Sequence, residues 1–175
     1  MGATGDATSL YGGYVVAVSQ YSGQDYYLVV PPVGIGQTTT QWKTTDTVTP
    51  GATSTADGRI NTEAMMLAGI DQHPAAKFCK SLAIGGFTDW YLPSSLELNV
   101  INSVQDNAIG LPDYQLPPWE AFSAGPYLTS VDGGTPTTAL GYNFSTNSII
   151  SVPKTGSYLV RAVRRSLDIG PFRNN

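Results

Sequence analysis

The sequence predicts an α+β domain in which two helices pack on antiparallel sheets. Three observations predict it. A hairpin pattern lies near the N-terminus, two helical segments fill the centre, and four strand-like runs follow residue 126 with connections too short for crossovers.

Residues 1–10 open with "MGATGDATS", small and polar, and "GAT-GDA" reads as two Gly-X-Y triplets, as at the end of a collagen-like stalk. They form a leader, and residues 11–175 form a single domain. In "YVVAVSQYSGQDYYLVVPP" two β-branched and aromatic runs flank a turn containing Gly23, and Pro31 and Pro32 end the second strand. Residues 33–61 are rich in Thr and Gly and lack periodicity, so a long loop is expected, pinned by Trp42.

The first helix is expected around Ala75, Cys79 and Leu82, which recur at helical spacing. Pro74 suits its first turn and Gly85 with Gly86 its stop, while 62–70 forms a separate helical turn. The second helix opens with "SSLE", where Ser94 caps the N-terminus and Glu97 reaches back. Leu98, Ile101, Val104 and Ala108 form its buried stripe, and Gly110 with Pro112 ends it. Residues 111–126 form an irregular loop rich in Pro and aromatics. Strands are expected over 127–130, 138–145, 148–154 and 158–165.

Between the helices lies "GGFTDWYLPSSLEL", which reverses the chain with Trp90 as its core anchor. Asp89 there needs a buried partner. Arg161 and Arg164 point to opposite sides of the last strand, so one of them is expected to pair with Asp89.

Composition narrows the function. The chain has 175 residues, 41% hydrophobic and only 13% charged, so its polar surface is mostly Thr, Ser, Asn, Gln and Gly. That balance suits secreted or virion proteins. The net charge of −4 argues against duplex nucleic acid as a partner, although Arg161, Arg164, Arg165 and Arg173 cluster near the C-terminus. No apolar run reaches the ~20 residues of a membrane span, so no membrane insertion is expected. One cysteine, Cys79, forbids an intrachain disulfide and reads as a buried structural thiol.

Catalytic patterns are poor. His73 is the one histidine and reads as a surface or capping residue. There is no G-x-S-x-G elbow, and "GIGQTT" lacks the ending of a phosphate loop. Zinc would need more Cys and His ligands than the chain holds. Glu97, Asp113, Glu120 and Asp132 are available as a carboxylate pair, but Glu97 is accounted for as a cap partner. No enzyme activity and no cofactor are expected.

Rigid aromatics and adaptable polar groups on loops are the marks of a binding module. Two excursions carry them. Tyr114, Trp119 and Glu120 lie in the first, and Asp132, Tyr142, Asn143 and Asn147 lie in the turns of the second. Flat rings stack on sugars, and Asn and Asp hydrogen-bond hydroxyls.

Five motifs occur in a telling order: Asn61-Thr62, "AAKFC" at 75–79, "DWYLPSSLEL" at 89–98, "YLTS" at 127–130 and "VRAVR" at 160–164. Over residues 57–165 this pattern resembles the C-terminal domain family of Legionella-type collagen-like adhesins. The resemblance implies a C-type-lectin-like fold used for extracellular attachment, at the ends of collagen-like stalks or in bacteriophage tail fibres. It further implies homotrimers and a host cell-surface glycan or polymer as ligand, with the protein on a virion or at a cell surface. Tyr91 stands where Arg is common in the family, and Leu128 where Trp is common. The E-P-N, Q-P-D and W-N-D triplets of calcium-dependent lectins are missing, so a loop-bound calcium has no motif behind it.

Overall fold

The computed structural model describes residues 11–107 and 120–167. Strands β1 (Tyr14–Tyr21) and β2 (Gln24–Val30) form the N-terminal hairpin. Ser22 and Gly23 both take positive φ, 51° and 77°, which matches the twist of a two-residue hairpin turn. Val30 is the last residue of β2, as Pro31 and Pro32 demand.

A helical turn at Val33–Gly36 leads into β3 (Gln37–Gln41), so the segment expected to be loop throughout contains a strand. Its Thr and Gln residues pair with β7 (Ser157–Arg161), and pairing rather than an apolar run makes it a strand. Trp42 follows, fully buried, its indole N–H donating to the Thr129 carbonyl at 2.8 Å.

Among the described residues three main helices form, where two were expected. The 62–70 turn belongs to a ten-residue helix, α1 (Gly58–Leu67), capped by Asp57, which accepts from the Arg59 N–H at 2.9 Å. Gly58 sits where a Cβ would lie 2.4 Å from the Leu92 carbonyl oxygen, so only glycine lets α1 approach the joint this closely. Helix α2 (Pro74–Ser81) starts with Pro74 as expected but ends four residues before Gly85. Gly85 and Gly86, φ 61° and 82°, make a tight turn between the bridged residues Ile84 and Phe87 rather than a helix stop.

Helix α3 (Ser95–Asn107) follows a capping box. The Ser94 hydroxyl accepts from the Glu97 N–H at 3.3 Å, and Glu97 Oε2 accepts from the Ser94 N–H at 2.7 Å. Leu98 and Ile101 are fully buried, whereas Val104 is partly exposed; Ala108, Gly110 and Pro112 lie outside the described residues.

The remaining strands are β4 (Pro126–Asp132), β5 (Thr138–Asn143), β6 (Ser148–Pro153) and β8 (Arg164–Ser166). One sheet runs β1-β2-β8 and the other β3-β7-β4-β5-β6. Pairing is antiparallel except for one parallel-type bridge, Tyr127 to Leu159. The expected last strand is thus two strands in two sheets. The chain changes sheet at Ala162 and Val163, where the Ala162 N–H bonds the Gly36 carbonyl and Val163 exchanges two backbone bonds with Tyr91. Arg161 therefore belongs to one sheet and Arg164 to the other.

Two apolar clusters fill the interior. Trp42, Met65, Cys79, Trp90 and Val160 centre the first; Leu28, Leu98, Ile101, Phe122, Tyr127 and Tyr142 centre the second. This is an α+β architecture of the C-type-lectin-like kind, with helices packed on two mostly antiparallel sheets.

Candidate functional site

The joint is built around Glu97. Its Oε2 accepts from the N–H groups of Ser94 and Gly58, and its Oε1 accepts from the Tyr91 hydroxyl at 2.8 Å and from Arg165 Nε at 2.8 Å. Arg165 also reaches Asp57 Oδ2 at 3.1 Å and the Ala56 carbonyl at 2.6 Å. Glu97, Asp57 and Arg165 are almost wholly buried. Burial raises the Asp57 carboxyl, but the bond from Arg59 and the charge of Arg165 outweigh it and hold the group below the usual range. Burial, and then the Glu97 charge, push the Tyr91 phenol well up, so it stays a hydrogen-bond donor. The family-like Asn61 and Thr62 serve the same joint. Asn61 bonds the Ser54 backbone and Ser130 Oγ, and Thr62 Oγ1 accepts from the Leu92 N–H at 3.1 Å.

Asp89 pairs with Arg164, in a fork of 2.7 and 3.1 Å. The pair is not buried as expected, because 55% of the Asp89 side chain is exposed. Arg164 stacks over Phe87 at 3.8 Å and holds the Tyr11 carbonyl, which fastens the incoming chain. Arg161 pairs with no described carboxylate. It donates to the carbonyls of Glu120, Ala121 and Pro31, and lies over Phe122. Burial lowers its pKa. The buried acids of the joint are Asp57 and Glu97, and the arginine that answers both is Arg165, with Arg59 also on Asp57. Trp90 is fully buried, its N–H donating to the Phe87 carbonyl.

Each strand of the five-stranded sheet has one end on the side of the sheet where Arg161 lies and the other end in a second polar cluster. That cluster gathers residues 42–49, 132–138 and 153–156. Lys154 Nζ donates to Asp132 Oδ2 at 2.8 Å, to the Thr135 carbonyl at 2.8 Å and to the Thr47 carbonyl at 3.0 Å. Lys43 Nζ donates to the carbonyls of Thr47 and Val48 and to Thr49 Oγ1. An ammonium has three protons, and each lysine uses all three. Both lysines are buried, and Lys154 lies 5.2 Å from the centre of the Trp42 ring. Burial, then the neighbouring Lys154 charge, lower the Lys43 pKa, with Asp132 opposing. Oxygen cages of this kind suit hard cations; here the chain's own ammonium groups fill them. Among the described residues no group of three or more His, Cys, Asp or Glu could hold a metal ion.

Three residues expected elsewhere prove to be internal. Asp132 is no exposed loop ligand: besides Lys154 it accepts from the N–H groups of Thr49 and Gly134, which fix two loops. Tyr142 is buried among the rings of the second apolar cluster and donates to Asn99 Oδ1. His73 is not at the surface. It is fully buried, with Nδ1 2.8 Å from the Gly69 carbonyl and Nε2 2.8 Å from Thr49 Oγ1.

The other candidates are more accessible. Asn143 is half-buried and takes the Ser145 N–H, and Asn147 is exposed at φ 51° in the β5–β6 turn. Glu120 is exposed and its carboxylate accepts from the Val33 N–H. These three lie at the Arg161 end of the sheet. Tyr114 and Trp119 lie outside the described residues.

Sequence reasoning missed Lys43, Thr49, Lys154, Asp57 and Arg165. Their signal was scarcity. In a chain with nine basic residues, a lysine directly after Trp42 and another after Pro153, both flanked by Thr, are candidates for structural cations.

A family model described as the Lcl C-terminal domain matches residues 36–164. No curated protein matches the chain.

Proposed function

The chain belongs to the Lcl C-terminal domain family, and from that premise we propose that it is an extracellular attachment domain that grips a host cell-surface glycan or polymer and has no catalytic role. The family is associated with a Legionella collagen-like adhesin, which points to a cell surface. The finer reading is a tip domain of a virion tail fibre or similar appendage, assembled as a homotrimer, with residues 1–10 joining it to a stalk.

The observation that carries the binding role is the lysine-filled cluster. Residues 44–48 and 134–137 are exposed along their length, yet the backbone beneath them is held by buried ammonium groups and by Asp132. Buried charges are costly, and they are best accounted for where loops must keep one shape. This cluster and the incoming chain meet opposite ends of α2. His73 belongs to it at the start of α2, whereas Ile84, beyond the other end of α2, abuts Gly12. A domain carried on a stalk through Tyr11 would present these loops outward.

The test is binding of the fluorescent domain to a panel of bacterial and mammalian cells, with Val48→Asp and Pro136→Arg as rim variants. Val18→Asp, on the exposed edge strand β1, is the control. Binding lost in the rim variants and kept in the control, with unchanged melting temperatures, supports the reading. Binding equal in all variants, or release of reducing sugar from the host polymer, contradicts it. Light scattering of the domain tests the trimer.

A further inference from the structure

His73 is the single histidine of the chain, and its two hydrogen bonds specify one tautomer of the neutral ring. The Gly69 carbonyl can only accept, so Nδ1 must carry a proton. Lys43 Nζ donates to Thr49 Oγ1 at 2.9 Å, and an ammonium can only donate. In the neutral Nδ1–H ring Nε2 carries no proton, so the Thr49 hydroxyl, which accepts from Lys43, gives its one proton to His73 Nε2, 2.8 Å away. The chain Lys43 to Thr49 to His73 to Gly69 is saturated with a neutral Nδ1–H ring. A second ring proton would point at a hydroxyl that already receives one from Lys43. That hydroxyl would then have to turn its own proton elsewhere.

The charges around the ring oppose that proton too. Lys43 faces it from the loop after β3, Lys154 from the β6–β7 turn and Asp132 from the end of β4. Lys154 and Asp132 are paired, so Lys43 remains in excess. The Trp42 ring meets the imidazole edge-on, with centroids 5.6 Å apart, and excludes water. Burial first, then the two lysines, hold the ring below the usual imidazole range against the Gly69 bond and Asp132.

Thr49 is the element this network controls. Its side chain bonds His73 and Lys43, and its N–H bonds Asp132, so it ties residues 44–48 to the sheet. We propose that His73 and Thr49 form an acid-sensitive latch, closed at neutral pH, whose protonation releases residues 43–52 from the end of the five-stranded sheet. In the open state the imidazole is solvated and titrates near its ordinary value of about 6.5. Opening is then favoured progressively below that pH, by up to about thirtyfold between pH 7.5 and pH 5.0. If residues 44–48 form the attachment face, which rests on the reading above, attachment weakens in mildly acidic surroundings.

Two measurements on the whole chain test the latch without any ligand. The first is hydrogen exchange, corrected for intrinsic rates, of amides in 43–52 relative to β5 and β6. Wild type should show at least a tenfold acceleration of the loop from pH 7.5 to 5.0, and His73→Gln less than twofold. Equal acceleration in both proteins, or none in wild type, overturns the proposal. The second is the NMR titration of the single imidazole. An Nδ1–H neutral ring at pH 7.5 that gains its proton together with movement of the loop resonances is expected. An ordinary titration with the loop resonances unmoved overturns it. Should His73→Gln fail to fold, the wild-type titration decides alone. Cell binding at pH 7.5 and 5.0 is a separate arm: an open latch with unchanged binding refutes the attachment face and leaves the latch standing.

Discussion

Arg165 Nη2 lies 2.7 Å from Glu97 Oε1, and each side chain is only 1% exposed. The contact joins the last strand to the start of α3, and Asp57 brings the start of α1 to the same guanidinium. Removing Arg165 leaves the Glu97 carboxylate in the interior without its counter-ion and leaves Asp57 with Arg59 alone. Arg165→Met should therefore cost about 3–5 kcal/mol in urea denaturation. Arg165→Lys should recover little, because a single ammonium cannot reproduce a fork that serves Glu97, Asp57 and the Ala56 carbonyl. A Lys variant as stable as wild type would contradict this account.

Asp89→Ala supplies the contrast. Its partner Arg164 keeps its bond to Tyr11 and its stack on Phe87, and Asp89 is more than half exposed. The expected cost is about 1 kcal/mol or less. A cost near that of Arg165→Met would mean that the corner depends on Asp89 far more than its exposure allows.

The difference between these two pairs marks what could be read from the sequence. The capping box of Ser94 and Glu97 was legible because it is local, with both partners within four residues. The hairpin, α3 and the Asp89–arginine link were legible for similar reasons of periodicity and charge. Arg165 was not, because "VRAVRR" looks like one strand, and only the change of sheet at Ala162 and Val163 turns Arg165 toward Glu97. Helix α1 was blurred because Gly58 and Asn61, poor helix formers, are there for the joint. His73 was misread and Lys154 missed because they close on Thr49 and Thr47, 24 and 107 positions away, and Lys43 was missed because its partners, Thr47, Val48 and Thr49, lie in an irregular loop with no periodicity to flag it.

The Lys154–Asp132 pair should behave as a buried ion pair with a structural cation. Lys154→Met leaves the Asp132 carboxylate without its counter-ion and should cost about 3–5 kcal/mol. Adding Asp132→Asn should recover part of that loss, because the amide oxygen still accepts from Thr49 or Gly134. A double-mutant cycle of melting temperatures measures the coupling, and strict additivity would refute it. Since ammonium groups fill the oxygen cage, chelator should leave the wild-type melting temperature unchanged.

Acid should destabilise the whole domain in two windows. The folded pKa of His73 is depressed, so its contribution is complete above the unfolded value of about 6.5 and is lost as pH falls below it. Asp57 is also depressed, so its contribution is complete above the unfolded carboxylate value of about 3.9 and is lost as pH falls further. Urea midpoints measured from pH 8 to pH 3 should decline first below pH 6.5 and again below pH 4. His73→Gln should lose the first decline only. A wild-type midpoint that stays level down to pH 4 would contradict the buried neutral ring.

Cys79 reports on the rest of the core. It is the single cysteine, fully buried on α2 in the cluster around Trp42 and Trp90, and burial pushes its thiol well up. The nucleophile is the thiolate, so both access and ionisation are withheld in the folded state. A thiol-disulfide reagent at pH 8 should label the unfolded chain at the rate of an ordinary thiol. For a domain of at least ~5 kcal/mol stability the folded chain should react at least about a thousandfold more slowly. Because His73 immediately precedes α2, the same labelling separates two events: at pH 5.5, against a free-thiol standard, local release of residues 43–52 leaves Cys79 protected, whereas opening of the core exposes it. Rapid labelling in both conditions would place Cys79 at an accessible surface and contradict the packing of α2 on the first apolar cluster.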